Sequence, residues 1–190
     1  MYLHRRKGLK LIIYPGTAIQ VGTALPEFTL TDALGKAVSI KTLLVNGPIL
    51  INFYRGEWCP FCNIQLSSLQ KHLAEFEAKG ITLVAITPEL PTETLTTTEK
   101  QNLKFTVLSD IGNKYARKLG IVWKMPDTLR PVFKTMDKEL IKRNGDDSFE
   151  LPIPASLLVD RKGIVRKTFI DPDFTQRLET KTALEWIDTL

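Results

Sequence analysis

Residues 48–62 read PILINFYRGEWCPFC and contain both cysteines of the 190-residue chain. The nearly continuous apolar run from Ile49 to Tyr54 is typical of a strand that is covered on both faces in a parallel sheet. A helical pattern follows, because Pro60 to Lys79 contains no glycine and its apolar residues recur at spacings of three and four. The two cysteines therefore stand where a buried strand gives way to a helix, a position that suits a redox dithiol.

The spacing of the cysteines predicts different roles for the two thiols. A helix that begins at Cys59 or Pro60 places the Cys59 sulfur beside unpaired backbone N–H donors and the positive end of the helix dipole. Such sites lower the pKa of a free cysteine from about 8.5 to roughly 3.5–7.5. Pro60 fits the first helical position, where its missing N–H is not needed. We predict Cys59 as the nucleophile and Cys62, one turn later on the same face, as the thiol that can bridge to it.

The rest of the chain predicts an α/β fold with parallel strand pairing. Residues 26–31 and 37–40 have the alternation and the intervening turn of a β-hairpin, and residues 151–159 and 164–170 predict a second hairpin. Between them, strand patterns at 81–86 and 106–108 alternate with helical patterns, and a helix is predicted over 180–190. We predict a basic arm over 1–20 and one folding unit over 21–190. This unit carries an insertion at about 121–151, interpreted as a helix with flanking loops.

Composition and charge exclude several classes of function. Apolar residues make up 43% of the chain, enough for one substantial core. Four of the five net positive charges lie within residues 5–10, and no basic patch with interleaved aromatics follows, so we expect no nucleic-acid binding. No run approaches the roughly 18 apolar residues of a membrane span, and the basic start lacks the apolar stretch of a signal peptide. We expect a cytoplasmic protein, in which a lone cysteine pair is more often catalytic than structural.

Metal and protease chemistry are disfavoured by the histidines. The chain contains only His4 and His72, and neither stands at metal-ligand spacing from the cysteines. His72 lies about three helical turns from Cys59, so it is a poor candidate for a catalytic base. We expect neither a metal nor a cofactor. The alternative without chemistry is that the cysteines are two small buried apolar residues.

Three segments carry a resemblance to a known family. They are LPEFTL (residues 25–30), FYRGEWCPFCN (53–63) and PIPASLLVD (152–160). In this order and spacing they resemble the peroxiredoxin-like branch of the alkyl hydroperoxide reductase/thiol-specific antioxidant (AhpC/TSA) family, from about residue 22 onwards. The resemblance implies a thioredoxin-like fold. It would have a central mixed β-sheet flanked by helices, an N-terminal β-hairpin and a helical insertion before the Pro154 strand.

The same resemblance implies roles for individual residues. Cys59 matches the peroxidatic cysteine of a thiol peroxidase. Pro154 matches the cis-proline that faces the Cys-x-x-Cys loop in thioredoxins, so Ile153 and Pro154 are predicted to contact substrate together with Pro60. An external thiol such as thioredoxin or glutathione would act as reductant, and a homodimer is compatible with the family.

The chain departs from the family pattern at three places. Typical members have Thr or Ser three residues before the peroxidatic cysteine and Pro seven residues before it, where this chain has Gly56 and Asn52. The arginine that usually enters from the later strand would fall near Pro154 and is missing. Those groups hold the peroxide oxygens and stabilise the departing oxyanion. We expect Arg55 to serve as the substitute cation for the thiolate and the peroxide.

Three functions are compatible with this sequence. In the first, Cys59 attacks hydrogen peroxide or an organic hydroperoxide, becomes a sulfenic acid and forms a disulfide with Cys62. In the second, the pair exchanges with protein disulfides as in a thioredoxin-type oxidoreductase, with Trp58 and Phe61 as an apolar docking rim. In the third, the fold is a weakly reactive binding or redox-sensing module, because Glu57 beside the nucleophile would raise its pKa.

Overall fold

The computed structural model describes residues 18–136 and 139–190, so most of the predicted basic arm lies outside the described residues. The strands are β1 (Thr29–Asp32), β2 (Ala37–Ser39), β3 (Ile49–Phe53), β4 (Thr82–Thr87), β5 (Thr106–Ser109), β6 (Val122–Lys124), β7 (Glu150–Pro152), β8 (Ala155–Val159) and β9 (Val165–Ile170). The α-helices are α1 (Ile40–Val45), α2 (Pro60–Lys71), α3 (Leu73–Ala78), α4 (Pro91–Lys100), α5 (Lys114–Lys118), α6 (Arg130–Thr135), α7 (Leu140–Asn144) and α8 (Thr180–Ile187). In the described ranges, no helix is long and apolar enough to cross a membrane.

The main sheet has seven strands in the order β2-β1-β5-β4-β3-β8-β9. Strands β3, β4 and β5 are parallel, whereas β8 runs antiparallel to both β3 and β9, and β1 runs antiparallel to β2 and β5. The predicted mixed sheet, its central strand and both hairpins are therefore confirmed. All five residues of β3 are buried, because neighbouring strands flank it and helices cover both of its faces.

Alternate residues of β3 face two different cores. Ile51 and Phe53 belong to a core that α1 and α5 complete, whereas Leu50 and Tyr54 belong to a second core that contains residues of α2, α3 and α8. This division follows from the twofold side-chain period of a strand. Both cysteines pack in the second core, so the dithiol lies on the α2 side of the sheet.

The long helix predicted from residue 60 to residue 79 is interrupted at His72. The backbone there has φ −104° and ψ 9°, and it separates α2 from α3. The His72 Nδ1 atom lies 2.9 Å from the Ser68 carbonyl oxygen. In a continuous helix this oxygen would accept a hydrogen bond from the backbone N–H of His72, so the side chain replaces a backbone bond of the helix. The interruption leaves the first two turns of α2, which carry the cysteines, unaffected.

The described part of the insertion contains two short α-helices, α6 and α7, and not the single helix that the apolar spacing predicted. It is closed by a second sheet in which β6 pairs antiparallel with β7. Glu139, immediately before α7, has φ +42°, and this left-handed conformation cannot continue a helix. The insertion has a small core of its own around Met125, Leu140 and Leu151, against which Trp58 and Phe133 pack. The insertion therefore contacts the loop that carries the cysteines.

Candidate active site

The cysteine pair occupies the first turn of α2, as predicted. Cys59 is the extended N-cap residue, with φ −96° and ψ 108°, and Pro60 takes the first helical position. The Cys59 carbonyl oxygen accepts hydrogen bonds from the backbone N–H groups of Cys62 (3.0 Å) and Asn63 (3.1 Å). Both thiols are free and fully buried. The strand-to-helix junction thus places the two sulfurs side by side and away from bulk water.

The environment separates the two thiols into a thiolate and a thiol. The hydrogen bond from the Cys62 thiol lowers the pKa of Cys59 from 9.0 to about 5, with help from the charge of Arg55, although burial acts in the opposite direction. Burial raises the pKa of Cys62 well above 9.0, and the bond to Cys59 and the charge of Cys59 raise it further. At neutral pH Cys59 is therefore ionised and Cys62 carries the proton.

The structure places Arg55 beside Cys59. Its Nη2 atom lies 3.4 Å from the Cys59 sulfur, and the guanidinium is held between the rings of Trp58 (5.0 Å to the centroid) and Phe174 (4.2 Å). Cation–π contacts of this kind are worth about 0.5–2 kcal/mol each. The buried Nε atom of Arg55 has no hydrogen-bond partner among the described residues. Arg55 can therefore stabilise the thiolate and still offer a donor to a substrate oxygen.

Arg177 is a residue of the site that the sequence analysis missed. Its Nη2 atom lies 3.3 Å from the Cys62 sulfur. Arg177 follows β9 in a polar loop, more than a hundred positions after Cys62, and no motif surrounds it. Only the packing of that loop against α2 brings it to the site, so local sequence contained no signal for it.

The glycine at position 56 has a steric cause. Gly56 has φ +137°, and a Cβ atom there would lie 2.6 Å from Trp58 Nε1 and 2.7 Å from Glu89 Oε1. The buried Glu89 accepts a hydrogen bond from the backbone N–H of Glu57 at 3.0 Å. The loop before Cys59 is thus held by a carboxylate from the segment just after β4, in a space that a threonine or serine side chain would fill.

The carboxylate of Glu57 is paired with cations. It lies 3.3 Å from Lys100 and 3.5 Å from Arg143, so its charge is offset by these neighbours and not left free beside Cys59. Arg143, on α7 of the insertion, also contacts Glu89 (3.4 Å) and Glu93 (2.9 Å). The insertion therefore anchors the cysteine loop through one arginine and three carboxylates.

The predicted apolar rim is present around Phe61. Its ring meets the ring of Phe174 edge-on at 5.9 Å, and the two side chains are 40% and 41% exposed. Trp58 lies deeper and packs edge-on against Phe133 of the insertion at 5.6 Å. Phe61 is therefore accessible to a partner, whereas Trp58 is mainly a packing residue.

Ile153 and Pro154 are placed differently from the prediction. Ala155 pairs with Phe53, so Pro154 lies at the same edge of the sheet as the cysteine loop. No cis peptide bond occurs among the described residues, so the bond before Pro154 is trans, unlike the thioredoxin proline. The Ile153 side chain is buried in the core on the other face of the sheet, away from the cysteines. The Ile153 side chain is therefore a core side chain in this structure, and contact of Ile153 with a substrate stays a prediction.

The groups around the dithiol suit thiol chemistry. In the part of the chain that the structure describes, no cluster of three or more His, Cys, Asp or Glu side chains could hold a metal ion. Each sulfur has an arginine Nη2 atom beside it, at 3.4 Å for Cys59 and 3.3 Å for Cys62. This arrangement can attack an electrophilic oxygen or sulfur and form a disulfide.

Substitution of Arg55 should raise the pKa of Cys59. Arg55→Gln removes the cation 3.4 Å from the sulfur, so the alkylation rate of Cys59 should reach half its maximum at a higher pH than in the wild type. The pH profile of alkylation, with Cys59 identified by mass spectrometry, measures this shift, and Arg55→Lys should shift less because it keeps the charge. Identical profiles for Arg55→Gln and wild type would contradict the assignment.

Glu89 should make stability depend on pH. Burial raises the pKa of Glu89 from 4.5 to about 7, so the folded state holds this proton more tightly than the unfolded state. The contribution of Glu89 to the stability of the folded state is greatest below about pH 4.5 and is lost as the pH rises through about 7. Glu89→Gln keeps an acceptor for the Glu57 N–H. The free energy of unfolding of Glu89→Gln, relative to that of wild type, should therefore rise by up to about 3 kcal/mol from acid to alkaline pH.

Urea unfolding of the reduced proteins at both ends of this range measures the difference. The Cys59 contribution is common to both proteins and cancels. Glu93→Gln is the matched control, because Glu93 binds the same Arg143 but is partly exposed. If the difference in the free energy of unfolding between Glu89→Gln and wild type does not change with pH, the pKa of Glu89 is not raised.

The comparisons with known proteins agree with this geometry. The sequence profile of the AhpC/TSA family matches residues 21–168. A putative peroxiredoxin bcp of Buchnera aphidicola is 30% identical over 105 residues, 55% of this chain and 66% of that protein. The thiol-disulfide oxidoreductase ResA of Bacillus thuringiensis is 24% identical over 162 residues, 85% of this chain and 76% of that protein.

A solved structure shows the same fold. The peroxidoxin BcpB of Mycobacterium tuberculosis aligns with 90% of this chain and 98% of its own at a TM-score of 0.71 and 16% identity. The chain matches just under two thirds of the length of the Buchnera relative, so that comparison does not cover a whole peroxiredoxin. The family profile covers well over half of this chain, from before β1 into β9, and the chain belongs to the AhpC/TSA family.

Proposed function

We propose that the protein is a thiol peroxidase that reduces hydrogen peroxide or an organic hydroperoxide through Cys59. The observation that carries this proposal is the contact of 3.4 Å between Arg55 Nη2 and the Cys59 sulfur. It supplies a cation at the nucleophile in a chain that lacks both the hydroxyl and the later arginine of the family pattern. The named peroxiredoxin relative supports the same reading.

The proposed reaction has two steps at the protein. The Cys59 thiolate attacks one oxygen of the O–O bond, which forms Cys59 sulfenic acid and releases the second oxygen as water or an alcohol after protonation. The Cys62 thiolate then attacks the Cys59 sulfur, which forms the disulfide and releases hydroxide. Arg55 stabilises the thiolate before attack, and its free Nε–H is available to the peroxide oxygen.

An external thiol must then reduce the disulfide. We propose a thioredoxin-type or glutathione reductant that approaches over the exposed apolar side chains of Phe61 and Phe174, with Ile64 one turn further along α2. Exposed apolar clusters of this kind mark interaction sites. A cytoplasmic location fits a cycle that depends on cellular thiols.

Thiol–disulfide exchange is the second candidate function. Cys59 is the N-cap of α2 and Cys62 lies in its first turn, so Cys62 could resolve a mixed disulfide formed at Cys59 with little movement. The ResA relative, matched over most of this chain, is named as a thiol-disulfide oxidoreductase. In this function the substrate would be a disulfide and not a peroxide.

The reaction with peroxide separates the two candidates. Prereduced wild-type protein mixed with one equivalent of hydrogen peroxide should lose thiol far faster than free cysteine and end as an intramolecular disulfide. Cys59→Ser should abolish the fast phase. Cys62→Ser should retain it, because the serine hydroxyl can still donate to the thiolate, and should stop at sulfenic acid. Quenched-flow alkylation with mass spectrometry measures each species.

The opposite pattern would reject the peroxidase. Slow thiol loss with hydrogen peroxide and with an organic hydroperoxide, together with ready reduction of insulin disulfides, would favour thiol–disulfide exchange. A rate no greater than that of a free thiol in both assays would favour the weakly reactive binding module.

A further inference from the structure

We propose that Arg177 is a second catalytic residue, which activates Cys62 for its attack on the oxidised Cys59 sulfur. The proposal rests on the dithiol function proposed above and deepens it. It assigns one arginine to each half of the reaction: Arg55 to the attack by Cys59, and Arg177 to the resolution by Cys62.

The geometry places Arg177 on a reacting atom. Its Nη2 lies 3.3 Å from the Cys62 sulfur, the same kind of contact that Arg55 makes with Cys59. The other terminal nitrogen, Nη1, donates to the backbone oxygens of Phe174 and Gln176 (2.7 Å for Gln176). Its own loop therefore holds the guanidinium in place.

The charges around Cys62 explain why it needs such a partner. The sulfur is fully buried, and the negative Cys59 sulfur lies beside it. Tyr54, at the end of β3, keeps its phenol neutral because burial raises its pKa, and Glu89 lies near Tyr54. Arg177 is the main positive side chain acting on Cys62. Without it, the hydrogen bond from the Arg55 backbone would be the chief remaining support for the Cys62 thiolate.

This arrangement also sets the order of the two steps. Before the peroxide reacts, the charge of Cys59 keeps the proton on Cys62. Conversion of Cys59 to sulfenic acid removes that charge. Arg177 then favours the Cys62 thiolate without an opposing negative charge on Cys59. The Cys62 proton leaves, its thiolate forms the S–S bond with Cys59, and the sulfenic oxygen leaves as hydroxide and becomes water. Two thiols and one peroxide thus give one disulfide, one water and one water or alcohol.

The expected size of the effect follows from thiol chemistry. A hydrogen bond to a charged group corresponds to about one to two pKa units. Each unit increases the thiolate fraction about tenfold, but it lowers the nucleophilicity of the thiolate roughly threefold, so the net gain is about threefold to fourfold per unit. Loss of Arg177 should therefore slow disulfide formation roughly threefold to fifteenfold.

The first experiment follows both steps in the full chain. Arg177→Gln is mixed with hydrogen peroxide, and acid-quenched samples are analysed for Cys59 sulfenic acid and for the disulfide. Attack on peroxide should stay within about twofold of wild type, whereas disulfide formation should slow by the factor above. Disulfide formation in Arg177→Lys should be slower than in wild type and faster than in Arg177→Gln, because lysine keeps the charge. The matched control is Gln176→Ala, an exposed neighbour on the same loop, which should leave both steps unchanged.

The second experiment does not require peroxide. In Cys59→Ser protein the remaining thiol is Cys62, and its ionisation is followed by the ultraviolet absorbance of the thiolate as the pH rises. Adding Arg177→Gln should move the midpoint upward by about one unit or more. This result would support the role of Arg177 even if the protein proves to act on disulfides and not on peroxides.

Three results would overturn the proposal. They are an unchanged rate of disulfide formation in Arg177→Gln, an equal slowing of both steps, and an unchanged Cys62 midpoint in the Cys59→Ser background. Slowing in Arg177→Lys equal to that in Arg177→Gln would likewise reject charge as the cause.

Discussion

The first turn of α2 places Cys62 next to Cys59, and the pKa values of the two thiols are driven apart there; the other features of the site depend on this difference. The neighbouring Cys62 thiol lowers the pKa of Cys59 to about 5, whereas burial and the charge of Cys59 raise the pKa of Cys62. Because both sulfurs are buried, bulk water does not screen the electrostatic interactions between them. In the proposed reaction, Cys59 is therefore ionised before the substrate arrives, and Cys62 keeps its proton until Cys59 has reacted.

Distant parts of the chain converge to support this pair. Arg55 comes from the loop after β3, and Arg177 comes from the loop after β9; each contacts one sulfur. The same two loops also meet where the Phe174 ring covers the Arg55 guanidinium. The insertion contributes Arg143, which binds the carboxylates around the cysteine loop. The insertion is thus part of the support of the site.

The sequence predicted the elements whose signals are local. Buried runs gave β3 and β4, turn residues gave both hairpins, and the Cys-Pro-x-Cys pattern gave the start of α2. Prediction from the sequence failed where tertiary contacts determine the backbone conformation or the position of a side chain. The break at His72 and the left-handed Glu139 follow no local rule. Arg177 is one of many arginines in polar loops until the fold brings it to Cys62.

The most direct test of this account is a thiol titration of the reduced wild-type protein, followed by thiolate absorbance. The account predicts one thiolate that forms with a midpoint near pH 5 and is lost in Cys59→Ser. It predicts that the second thiol ionises only well above its ordinary pKa. Two thiols that titrate together near the value of free cysteine, about 8.5, would contradict the separation of the two pKa values and the order of reaction that follows from it.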